Sequence, residues 1–428
     1  MNKLLLLLFL LCFEISKQKK PKCIELAINC LEQNGYCVIP VYFGSNNETF
    51  QLQLDTTTSF TWIPSNIFDM DVPKYNISES KFGKSTNRII KIEDEEGTIY
   101  GKLNYDYVRF ENIGINNYGF VLADYHEKYF VDYPKGKLGL GYYHEKGDFN
   151  FIQKLKEMEL IDEKIFIIDK FSKKLVIGKI PTYLLELPSE SCSLYDVSYL
   201  GNEYRQSWAC EMYKIFCGVN IIKNTGFYFD KDGNPIPYEY EEIDFRTSKD
   251  AYIPAIFDRA YPYIRLPIGY SDYIKGNLIM KYLKGTCSEN IDENYLIYFI
   301  CKKEYINLSL TYLQFFINRK MFFLLGSDLF KTINYAQSEL LIRFSQKEDN
   351  VAVLGFPFLN NLATVYDFDD GKIIFYGQNI VNLTSAWIWY NIPYYIGIGL
   401  LIIIPIVIIL VYINTNCCEE KKLNGNIN

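Results

Sequence analysis

The chain has 428 residues, a formal net charge of −7 and an aromatic content of 17%. That length is enough for more than one lobe around a sizeable core. The modest, dispersed charge lacks the basic cluster that tracks a phosphate backbone, so nucleic acid is not an expected partner.

At the N-terminus, residues 4–13 form an unbroken apolar run behind Lys3, the layout of a secretory signal peptide, expected to span residues 1–16. A short, partly basic segment follows over residues 17–36. Beyond it Tyr, Phe, Ile and Val are dense. Stretches such as YCVIPVYF, FQLQL, FTWIP, IFIID and KLVIG are separated by Gly, Asn, Asp or Pro, which reads as strands and turns. Helical periodicity is scarce, with residues 151–160 the clearest amphipathic stretch, so the class is all-β.

A two-fold pattern appears when residues 37–187 are set beside residues 188–385. Each half carries an apolar strand ending in Asp, in FQLQLDTTTSFTWIPS (50–65) and AIFDRAYPYIRLP (255–267). Each later carries a Leu-Gly step, in GKLGLGY (136–142) and VLGFPFL (353–359). Two similar β lobes are expected.

Residues 392–413 carry no charge and are long enough to cross a bilayer as a helix, with tryptophans and tyrosines before them suited to an interfacial belt. A polar tail, residues 414–428, follows and is expected to face the cytosol. The expectation is a single-pass type I membrane protein of the secretory pathway. Between the apolar segments lie Cys23, Cys30, Cys37, Cys192, Cys210, Cys217, Cys287 and Cys301, an even set that suggests disulfides in an exported domain. Sequons at Asn47, Asn76, Asn307 and Asn382 are candidate glycosylation sites.

The available chemistry is narrow. The two histidines, His126 and His144, lie in no metal-ligand motif, and no phosphate-cradling glycine loop occurs, so neither metal nor cofactor is expected. Nucleophilic Ser or Cys sites usually need an imidazole base. Carboxylate chemistry remains, in which two adjacent acids share a proton and divide the roles of base and acid. Asp55 and Asp258 are the candidates. Each alone reads equally well as a turn residue.

LDTTTSFTWIPS resembles the L-D-T-G-S-x-x-x-W-V-P-S motif of pepsin-like aspartic proteases at Leu54, Asp55, Thr56, Ser59, Trp62, Pro64 and Ser65. The stretch 92–106 is similar to the family's flap hairpin, with Gly97, Gly101, Leu103 and Asp106 in place. KGKLGLGY, Trp208 and residues 351–377 resemble later landmarks in the family order. The resemblance implies a bilobal pepsin-like fold, Asp55 and Asp258 as the catalytic dyad, a Cys287–Cys301 disulfide, and a peptide or protein as substrate or ligand.

Several positions depart from the family pattern. Thr57 stands where the family has glycine and is expected to crowd the site. Asp-Thr-Gly becomes Asp258-Arg259-Ala260, which removes the threonine that reaches across the dyad. Arg259 either points at the carboxylates, opposing a shared proton, or turns to solvent. Asp94 occupies the place of the flap tyrosine, and Lys137 replaces an apolar residue that lines the family's cleft. These changes imply an aspartic endopeptidase homologue of impaired activity, or else a pseudoprotease that binds a peptide or partner between its lobes without cutting it.

Overall fold

The computed structural model describes residues 22–30, 37–68, 71–94, 97–127, 136–142, 150–169, 172–200, 204–219, 243–244, 252–280, 283–306, 311–318, 320–346, 350–360, 362–377 and 380–381. The expected signal peptide, the helix expected at 392–413 and its tail lie outside them. No helix among the described residues is long and apolar enough to cross a membrane.

The first half supplies β1 (Ile24–Ala27), β2 (Asn29–Cys30), β3 (Cys37–Phe43), β4 (Glu48–Asp55), β5 (Trp62–Pro64), β6 (Lys84–Asp94), β7 (Gly97–Phe110), β8 (Ile113–His126) and β9 (Lys137–Gly139). Strands β2 to β9 form one sheet in the order β2-β3-β4-β9-β5-β8-β7-β6. Alternation explains their placement: in β3 and β4 Ile39, Val41, Phe43, Phe50, Leu52 and Leu54 are buried in the main core.

Helix α1 (Phe151–Glu157) starts at Asn150, whose side chain accepts from the Gln153 amide at 3.1 Å. It buries Phe151, Ile152 and Leu155. The apolar periodicity pointed to a helix as far as residue 160, but Glu159 takes a left-handed φ of 53°, which ends it earlier.

Next come β10 (Ile165–Asp169), β11 (Lys174–Ile177) and β12 (Ser189–Ser193), then β13 (Ala209–Val219), β14 (Ile243–Asp244), β15 (Ile253–Phe257), β16 (Ile264–Pro267), β17 (Cys287–Ile291), β18 (Leu296–Lys302), β19 (Thr311–Ile317), β20 (Lys320–Leu325), β21 (Phe330–Thr332), β22 (Gln337–Leu340), β23 (Ile342–Ser345), β24 (Ala352–Leu354), β25 (Ala363–Asp367), β26 (Lys372–Tyr376) and β27 (Ile380–Val381). Most of the second half joins one large sheet whose centre runs β23-β16-β24-β15-β13-β19. A six-stranded sheet, β1-β11-β10-β25-β26-β12, is built from both halves of the chain.

The two halves repeat one strand plan. In the first, β4 runs parallel to β9, β9 antiparallel to β5, and β5 parallel to β8. In the second, β15 runs parallel to β24, β24 antiparallel to β16, and β16 parallel to β23. The fold is thus mainly β with two similar halves, in line with the pepsin-like architecture.

Trp208 fastens the halves together. It is fully buried, its indole N–H donates to the Leu140 carbonyl at 2.9 Å, and its ring meets Tyr142, Phe166, Tyr366 and Phe368. Burying such a side chain contributes about 2–3 kcal/mol. Disulfides join Cys30 to Cys37, Cys192 to Cys210, and Cys287 to Cys301, the last being the pair that the resemblance implied. Cys23 forms none among the described residues, and the Cys217 side chain lies outside them.

Of the candidate sequons, Asn47 is exposed at the β3–β4 turn with a left-handed φ of 54°. The Asn76 side chain is engaged: it caps a short turn by accepting from the Ser78 amide and donates to Glu79 at 2.7 Å. Asn307 and Asn382 lie outside the described residues.

Candidate active site

Asp55 is the last residue of β4 and is fully buried. Its neighbour in the parallel register is Gly139. A Cβ on Gly139 would sit 2.4 Å from the Ser59 carbonyl carbon, so only glycine lets the turn after Asp55 close against β9. Asp258 follows the last residue of β15, and Gly355 follows Leu354, the β24 partner of Phe257. A Cβ on Gly355 would lie 2.2 Å from the carbonyl oxygens of Tyr261 and Tyr263. Each acid therefore emerges from the same kind of strand junction, the feature shared by the two quoted motifs.

The turns hold the carboxylates alike. Asp55 Oδ1 accepts from the Thr57 amide at 2.7 Å and the Thr58 amide at 3.3 Å. Asp258 Oδ1 accepts from the Ala260 amide at 2.8 Å. Thr57, expected to crowd the site, keeps the amide donation, and its hydroxyl adds a bond to Asp55 Oδ1 at 2.7 Å. Its φ is not left-handed, so this turn accepts a side chain.

Thr56 joins the two turns. Its hydroxyl donates to the Phe257 carbonyl at 2.7 Å and accepts from the Arg259 amide at 3.2 Å. Gln53 Nε2 adds a bond to the Ala260 carbonyl at 3.2 Å. The loops carrying Asp55 and Asp258 are thereby brought together. Position 259 offers no hydroxyl for the cross-lobe contact, as expected from its arginine, while Thr56 makes such a contact from the first lobe.

Arg259 takes neither of the poses expected for it. It is 3% exposed, yet it points away from the carboxylates. Its guanidinium donates to the Leu359 carbonyl at 2.6 Å, lies 4.0 Å from Cys37 Sγ and stands 5.7 Å from the Phe356 ring centre. Nε finds no acceptor among the described residues. Burial pushes its pKa down to about 10, against weaker support from Tyr366 and Asp169. Beside it the Tyr366 phenol is held well above its ordinary pKa, chiefly by burial, with Arg259 and Thr56 pulling the other way.

Lys137 is the sharpest departure. It opens β9 between Gln53 on β4 and Trp62 on β5, and cross-strand neighbours share a sheet face. That face also carries Asp55, two residues beyond Gln53. The Lys137 ammonium lies 3.2 Å from Asp55 Oδ2, with side-chain exposures of 3% and 0%. Among the described residues Oδ2 accepts no directed hydrogen bond, so the contact is a buried ion pair without hydrogen-bond alignment. Asp55 thus has three donors on one oxygen and a cation at the other.

The hairpin aligned with the flap is formed by β6 and β7 and closes with Asp94 opposite Gly97. The tip, 95–96, and the Asp94 side chain lie outside the described residues. Ile90, Ile92, Ile99 and Leu103 from this hairpin cluster with Trp62, whose buried indole N–H has no acceptor among the described residues.

Gln53 and Gln206 had no place in the sequence reading. Gln206 Oε1 accepts from the Ser59 amide and hydroxyl, each at 2.8 Å, tying the Asp55 loop to the segment before Trp208. The only sequence signal was that Gln53 sits in a FQLQLD alternation next to an acid, a pattern that reads equally as a solvated strand face. No group of His, Cys, Asp and Glu suited to a metal ion occurs among the described residues.

The family model for eukaryotic aspartyl protease matches residues 36–181, a span that contains Asp55, the hairpin and Lys137. The match falls within the first half of the chain, and the second half repeats the strand plan of the matched half. No curated protein matches the chain.

Proposed function

We propose that this pepsin-like protein binds a peptide or protein segment over the joined Asp55 and Asp258 loops and hydrolyses peptide bonds weakly or not at all. The observation that carries the reading is the 3.2 Å contact between the Lys137 ammonium and Asp55 Oδ2. Dyad hydrolysis needs one proton shared between two carboxylates, so that one activates water while the other protonates the carbonyl. A buried ammonium at one of them competes with that proton.

The second reading is an active endopeptidase. It is favoured by the amide donors from Thr57 and Ala260 and by the Thr56 clasp, which hold both acids in matching turns.

Membrane tethering in the secretory pathway belongs to the same proposal. It is supported by the uncharged stretch 392–413 and by disulfides, which persist in oxidising compartments. Alkaline carbonate extraction of expressing cells tests it, and release of the chain into the soluble fraction would count against an anchor.

For the activity, the full-length chain in detergent is incubated with a diverse quenched peptide pool from acid to neutral pH, beside Asp55→Ala. Binding without turnover is expected. Turnover lost in Asp55→Ala would establish the endopeptidase reading instead.

A further inference from the structure

The two strand plans share one register beside their acids. Leu54 pairs with Leu138 and Asp55 with Gly139 in the first half, while Phe257 pairs with Leu354 in the second. Counting back from the glycines, Lys137 occupies the place that Val353 holds in the other half. Val353 is fully buried and apolar. One half therefore sets an uncharged residue beside the strand that delivers its acid, and the other sets an ammonium there.

The remaining support for a dyad is present on both sides. Each acid accepts the amide two residues downstream, a glycine at each junction, Gly139 or Gly355, admits the turn, and Thr56 joins the loops through two hydrogen bonds. The Arg259 guanidinium reaches Leu359 and Cys37, away from the carboxylates.

We infer that the chain holds a latent peptide-bond hydrolase, and that the Lys137 charge is what keeps it off. This rests on the proposed reading that the wild-type dyad is disabled. With the ammonium removed, one carboxylate takes a proton from water as the water oxygen bonds to the scissile carbonyl carbon. The other, protonated, gives its proton to the carbonyl oxygen. Collapse of the resulting diol breaks the C–N bond, and the amine leaves with a proton. Only water is consumed, and no oxidant or reductant is involved. Lys137 acts through Asp55 and is a positioning residue.

The test uses full-length Lys137→Val, which copies the two-fold mate, and Lys137→Met, which keeps the chain length without charge. Retained melting transitions establish folding. The expected result is cleavage of the quenched peptide pool about 10²-fold above wild type, the scale of acid–base catalysis, abolished by adding Asp55→Asn. The variants should also bind a peptide bearing a secondary hydroxyl in place of the scissile carbonyl at least about tenfold tighter, a readout that a packing role for Lys137 would not move. Folded variants that neither cleave nor gain affinity overturn the inference while leaving the non-cutting reading intact. Asp55-dependent cleavage by the wild type overturns both.

Discussion

The Thr56 hydroxyl meets the Arg259 backbone amide at 3.2 Å, so a side chain from one lobe terminates the acid-bearing turn of the other. The same hydroxyl donates to the Phe257 carbonyl, and every atom in the clasp is buried. Together with the Gln53 bond to the Ala260 carbonyl, it hydrogen-bonds the two repeated strand plans immediately beside their acids.

Thr56→Val keeps the shape and removes the hydroxyl, leaving a buried carbonyl and a buried amide without partners. A loss of about 2–4 kcal/mol in denaturant unfolding is expected, with Thr56→Ser close to wild type. A loss below about 0.5 kcal/mol would mean that the Thr56 clasp contributes little to holding the lobes.

Arg259→Met tests the cost of a cation whose hydrogen bonds end on carbonyl and sulfur. Because its folded pKa is lowered to about 10, the folded state disfavours the protonated form. That penalty is complete below pH 10 and is relieved only as pH climbs from there toward the ordinary arginine range of the unfolded chain. The methionine variant should therefore unfold at equal or higher urea, by about 0–3 kcal/mol, with a difference that stays flat from pH 5 to 8. A destabilised variant would show that the bond to Leu359 outweighs the desolvation.

Asp55→Asn removes the carboxylate charge beside the buried Lys137 ammonium and should cost about 3–5 kcal/mol. Adding Lys137→Met should recover most of that loss. Additive losses in this double-mutant cycle would mean that the two side chains are not coupled.

Tyr75→Phe probes the support of the hairpin strand β7. The Tyr75 hydroxyl donates to Asp106 Oδ2 at 2.7 Å, while Oδ1 accepts from Ser80 and the Tyr107 amide. Losing a donor to a buried carboxylate should cost about 1.5–3 kcal/mol, read as a lower urea midpoint. Unchanged stability would show that the remaining donors suffice.

What the sequence determined by itself was the local grammar of the fold. An apolar strand running into Asp, followed by a short polar turn and later by Leu-Gly, describes a strand junction, and it occurs twice. The β class, the two-fold plan and the hairpin over 92–106 were legible because each depends on alternation, turn chemistry or motif order written along a short stretch of chain, while the Cys287–Cys301 pair was implied by the family resemblance.

Tertiary structure alone decided what the departures mean. Whether Lys137 lines a cleft or pairs with Asp55 depends on the parallel register of β9 against β4, which no local pattern encodes. Whether Arg259 faces the acids or the core depends on where Leu359 and Cys37 arrive from distant parts of the chain. Thr57 seemed obstructive as a residue type, yet its turn avoids left-handed geometry and its hydroxyl has an acceptor at hand. Residue type sets what a side chain can do, and the long-range register of the strands sets which partner it meets.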